Sequence, residues 1–72
     1  MQFSKIKILF PDLIIDQEKK DVFIALLKKN NILYTLRTVP NVVGYDVIWD
    51  HKDNEIIEEI KFEFFRQIAK NN

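Results

Sequence analysis

The chain has no cysteine, which excludes both a disulfide framework and a thiolate zinc site as the source of its stability. It has no net charge either: eleven basic side chains balance eleven acidic ones, whereas a general polyanion binder carries a basic excess. No apolar run approaches the roughly 18 residues of a membrane span, and the opening residues lack the apolar stretch of a secretion signal. The expectation is a soluble, cytoplasmic protein, and the missing cysteines are compatible with a reducing compartment. Histidine and serine occur once each, as His51 and Ser4, and threonine twice, as Thr35 and Thr38, so catalytic chemistry is thinly provided for. The chain is read as one domain, residues 1–72. At that length only about 60% of the unfolded surface is buried, and self-association is the remaining common supplement.

What is present is alternation. Residues 32–49 hold two strand-like runs, ILYTLRTVP and NVVGYDVIWD, meeting at Val39-Pro40-Asn41-Val42. Pro40 presets φ for a tight turn, and Asn41 tolerates the positive φ that a type II turn needs next. If Val39 pairs with Val42, Leu36 faces Tyr45, Tyr34 faces Val47 and Ile32 faces Trp49. The opposite face then pairs Arg37 with Gly44, Thr35 with Asp46 and Leu33 with Ile48. One face is aromatic and aliphatic and the other mixed, as in a half-buried antiparallel hairpin. Gly44, the only glycine, marks a bulge or a close approach by another backbone.

Upstream, FSKIKILF (3–10) places Ile6, Ile8 and Phe10 on one face and Lys5, Lys7 and Leu9 on the other, a strand that Pro11-Asp12 ends. Leu13-Ile14-Ile15 is ambiguous between an extended segment and a lead-in to a helix. Asp16 as N-cap, the stripe Val22, Phe23, Leu26 and Leu27, and Asn30-Asn31 as a left-handed C-cap predict a helix over about 17–30. Asp53 as N-cap and the stripe Ile56, Ile57, Ile60, Phe64 and Ile68 predict a second helix over about 54–70. Phe62 and Phe65 fall to the flanks of that stripe, as peripheral packing or as a dimer contact.

The order is β-α-β-β-α. It predicts an α+β two-layer sandwich: a three-stranded mixed sheet, with the last strand between the first two and two helices on one face. This resembles a ferredoxin-like unit lacking its last strand, a likeness of architecture that carries no function. Without a fourth strand the first strand has a free edge. Lysines there blunt adventitious pairing, or the edge meets its own copy across a two-fold axis.

The candidate binding face is the one opposite the helices. Lys5, Lys7 and Arg37 stand there beside Leu9, Leu33 and Ile48, with Asp46 placed to neutralise Arg37 diagonally. The expected function is a non-enzymatic protein-interaction module without cofactor or metal. It would be an inhibitor or accessory factor of phage or mobile-element kind, homodimeric through the first strand or through Phe62 and Phe65. The alternative is a nucleic-acid accessory protein with a local basic patch. Against it, Tyr34, Tyr45 and Trp49 belong to the covered face, where they cannot stack bases. Three enzymatic patterns are weaker. Ser4 and His51 would have to meet from opposite ends of the chain. Asp46, Asp50, His51 and Asp53 lack calcium-loop spacing. Pro11-Asp12 with Asp50-His51-Lys52 echoes a metal-dependent nuclease, but antiparallel pairing would set Asp50 near the start of the first strand, away from Asp12.

Overall fold

The computed structural model describes residues 2–10, 13–41 and 43–70. Along them run β1 (Phe3–Leu9), α1 (Leu13–Lys29), β2 (Tyr34–Thr38), β3 (Gly44–Asp50), a 3-10 turn (His51–Asp53) and α2 (Asn54–Lys70). The sheet order is β1-β3-β2, and both pairings are antiparallel. The sheet is therefore antiparallel rather than mixed: β1 and β2 share a direction, but β3 separates them. The resulting α+β fold has the expected element order, with the last strand in the centre.

The hairpin register differs from expectation by two residues. Tyr34 faces Trp49, Leu36 faces Val47 and Thr38 faces Tyr45, and the Val39 amide donates to the Gly44 carbonyl at 3.3 Å. Asn41 does take the positive φ expected of it, 65°, but in a longer connection than a two-residue turn. Because side chains alternate with period two, a shift of two returns every residue to the same face. Val47 and Trp49 are accordingly buried, packing with Tyr34, Ile6 and Ile8 beneath Phe23, Ile24, Leu26 and Leu27 of α1 and Ile57, Ile60 and Phe64 of α2. Phe23 anchors this core, edge-on to Phe64 at 5.3 Å and tilted against Trp49 at 6.5 Å. Leu36, expected beneath the helices, is partly exposed because β2 is an edge strand.

Helix α1 begins at Leu13, so Asp16, expected at the N-cap position, lies within the helix. Isoleucine in a helix costs only tenths of a kcal/mol relative to alanine, and tertiary context readily overrides so weak a preference. The Pro11-Asp12 stop falls outside the described residues. The far end of α1 matches its expectation: Asn31 is left-handed at φ 58°. Its amide donates to the Lys28 carbonyl at 3.1 Å, and that of Ile32 to Leu27 at 3.0 Å. These are the two bonds of a Schellman motif, with buried Ile32 and Leu27 as its apolar contact.

Helix α2 starts where expected, but among the described residues Asp53 accepts no hydrogen bond. Asp50 instead caps the preceding 3-10 turn, accepting from the Lys52 amide at 3.1 Å. Ile57, Ile60 and Phe64 form the buried stripe, whereas Ile56 is exposed, one helical step (about 100°) away from Ile57. Gly44 is explained by close approach. A Cβ there would sit 2.4 Å from the Ile8 carbonyl oxygen, and the β1–β3 ladder runs from Phe3–Asp50 to Leu9–Gly44 without a bulge.

Candidate functional site

Both helices lie over one face of the sheet, and nothing among the described residues covers the other. The register sets out that open face. Across β1, β3 and β2 run the rows Lys7–Asp46–Arg37 and Lys5–Ile48–Thr35, with Leu9 beside Gly44 and Phe3 beside Asp50. Leu33 stands just ahead of β2 and is 85% exposed. All six side chains read from the sequence as partner-binding, Lys5, Lys7, Leu9, Leu33, Arg37 and Ile48, thus share this side. Phe3 was missed. It is 63% exposed, and its odd-numbered place with Lys5 and Lys7 in β1 was the signal. Phe3, Leu33, Thr35, Arg37, Ile48 and Lys52 help line a shallow groove of about 630 Å³.

Asp46 is the feature that sequence reasoning undervalued. It is only 7% exposed, although it sits on the uncovered face, because it occupies the central strand with a long basic side chain on each side. Its ion pair is with Lys5, Nζ to Oδ2 at 3.8 Å. The diagonal neutralisation of Arg37 does not form: Arg37 is directly opposite Asp46 but makes no ion pair with it. Oδ1 of Asp46 is buried and accepts no hydrogen bond among the described residues. A desolvated carboxylate oxygen without a donor costs on the order of 1–3 kcal/mol, so this atom is an uncompensated acceptor beneath the basic side chains of the face.

Ser4 and His51 do meet, contrary to the expectation from their places in the chain. Antiparallel pairing of β1 with β3 brings the start of one strand to the end of the other, and Ser4 Oγ lies 3.2 Å from His51 Nδ1. The same nitrogen, however, lies 3.0 Å from Asn54 Nδ2. The orientation of Asn54 is settled by the Trp49 indole, a donor only, whose Nε1 gives its hydrogen to Asn54 Oδ1 at 2.7 Å. Asn54 therefore donates to His51, and the one lone pair of Nδ1 is already engaged. The His51 amide also donates to the Gln2 carbonyl at 2.9 Å. The cluster fastens the start of α2 to the start of β1 and leaves no free base beside the serine.

The acidic residues weighed as cation ligands are dispersed. Asp46 lies on the open face, Asp50 caps a turn, and among the described residues no three His, Asp or Glu side chains gather as a metal-holding group. Asp50 pairs with Phe3, at the far end of β1 from Phe10, and Asp12 of the nuclease-like pattern lies outside the described residues. No described helix is long and apolar enough to cross a membrane. Compared with models of protein families, with curated proteins and with solved structures, the chain matches none.

Proposed function

We propose that this chain is a non-enzymatic interaction module that docks its uncovered sheet face on a larger protein. The observation that carries the reading is Asp46 Oδ1, a buried acceptor without a donor among the described residues, on a face that also exposes Leu9 in the neighbouring row and Phe3 and Leu33 towards the other end of the sheet. Once a flanking basic side chain swings aside, a partner donor would complete that atom while the exposed apolar side chains are buried against apolar surface. Lys5, Lys7 and Arg37 outnumber the one central carboxylate, so the partner's rim is acidic. The engaged His51 lone pair supports the non-enzymatic reading; an inhibitory or accessory role, of the kind carried by phages and mobile elements, and a cytoplasmic setting are parts of the same proposal.

The free edge of β1 is a poorer contact. A two-fold pairing of β1 with its copy about Lys5, Ile6 or Lys7 sets Lys5 against Lys5, Lys5 against Lys7, or Lys7 against Lys7. Like charges directly opposite are destabilising.

The test is photo-cross-linking in the native host, with a photoreactive residue at Leu33 or Ile48 and, as control, at Ala25 on the helix layer. We expect one protein species from the sheet positions, absent from the control and lost in a folded Lys7→Glu/Arg37→Glu variant. Equal capture by that variant overturns the reading. A second reading, single-stranded nucleic acid, is favoured only by exposed Phe3 among cations, and the carboxylate of Asp46 repels phosphate. It predicts binding that weakens steeply with salt; no shift in a low-salt titration ends it.

A further inference from the structure

A second exposed surface lies on the helix layer, away from the sheet face. In α2, Glu58, Phe62, Phe65 and Ala69 follow one another at spacings of four, three and four residues, the rhythm of a coiled-coil seam. At about 100° per residue, this seam lies roughly 140° around the helix from the Ile57, Ile60 and Phe64 stripe, so it cannot serve the chain's own core. Phe62 is 77% and Phe65 61% exposed. Both were read from the sequence as dimer residues, and the structure leaves both uncovered.

We propose that α2 pairs antiparallel with α2 of a second copy of this chain, about a two-fold axis between Phe62 and Phe65. The charges beside the seam decide the occupant and the direction. Antiparallel pairing brings Phe62 against the partner's Phe65, Glu58 against the partner's Ala69, and Glu59 against the partner's Arg66, each contact made twice by symmetry. Parallel pairing instead sets Glu58 against Glu58 and Lys61 against Arg66, both like-charged. Glu59 has no ion pair or hydrogen bond among the described residues, whereas Arg66 is paired with Glu63 of its own helix. A guanidinium has five donors, so Arg66 can hold Glu63 and the partner's Glu59 together. Glu58 is already held by Lys61 of its own helix at 3.2 Å, so the fit to a second copy rests on Glu59, which meets the partner's Arg66 twice by symmetry. The dimer is independent of the sheet face and leaves it open in both protomers.

The absence of native cysteine makes the test clean. Glu58→Cys and Ala69→Cys chains are oxidised separately and as a mixture, while sedimentation equilibrium follows the unmodified chain and the charge variants. We expect a wild-type dimer and a disulfide that forms in the mixture but in neither variant alone. Arg66→Glu should weaken association about ten-fold, and Glu59→Arg/Arg66→Glu should restore it. Arg66 and Glu59 are exposed, and circular dichroism confirms that their variants fold. A wild-type monomer, a cross-link in Glu58→Cys alone, or insensitivity to Arg66→Glu overturns the proposal. So does a dimer that persists in Phe62→Ser/Phe65→Ser, which would place the contact between copies elsewhere.

Discussion

Arg37 stands directly across the ladder from Asp46, yet the carboxylate pairs with Lys5 from the next row, at 3.8 Å. One oxygen of Asp46 is left buried and unmatched. A single distant ion pair to a largely exposed lysine contributes at most about 1 kcal/mol, less than a desolvated carboxylate costs. The centre of the sheet face is thus built at the expense of stability.

Asp46→Val should therefore raise the stability of the folded chain, by about 1–2 kcal/mol, because a β-branched side chain of similar size suits a central strand. Urea denaturation reads this directly. A lower midpoint would show that the carboxylate is a net structural asset. In the cross-linking assay the same variant should lose its partner, the pattern of a residue kept for binding rather than folding.

Gly44→Ala is expected to destabilise by at least about 2 kcal/mol. Its methyl group would meet the Ile8 carbonyl oxygen at 2.4 Å and the Leu9 Cα at 3.0 Å, both backbone atoms that move only by opening the β1–β3 ladder. A thermal midpoint close to that of wild type would mean that β1 is held less closely than its register implies.

At Asn31, φ of 58° penalises a side chain with Cβ but not glycine. Asn31→Gly should be neutral or slightly stabilising, and Asn31→Ala should cost about 1 kcal/mol. Equal midpoints for the two would remove the left-handed cap from the account of how α1 ends.

The Trp49–Asn54 hydrogen bond of 2.7 Å joins the core to the first residue of α2. Trp49→Phe and Asn54→Ala should each cost about 1–3 kcal/mol, and the double variant less than their sum. Strict additivity in denaturant titrations would show that the indole is held by packing alone. Ser4→Ala should cost under about 1 kcal/mol, since Asn54 still engages His51.

Much of this molecule was legible from side-chain alternation alone. Parity in residues 3–10 and 32–49 assigned Val47 and Trp49 to the core and Lys5, Lys7 and Arg37 to the open face. Those assignments survived a two-residue error in register because the pleat repeats every two residues. Phe62 and Phe65 were marked as surplus by helical spacing, and Asn31 and Asn41 by their tolerance of positive φ.

Tertiary structure alone decided the rest, because it depends on which segments meet. The central place of β3 was expected from the element order, but the meeting of Ser4 with His51, the choice of close approach over a bulge at Gly44, and the burial of Asp46 followed only from the register and neighbours that β3 takes there. Periodicity tells a side chain which way to face. It does not say which neighbours will stand beside it, and those neighbours determine whether a carboxylate is solvated or left waiting for a donor.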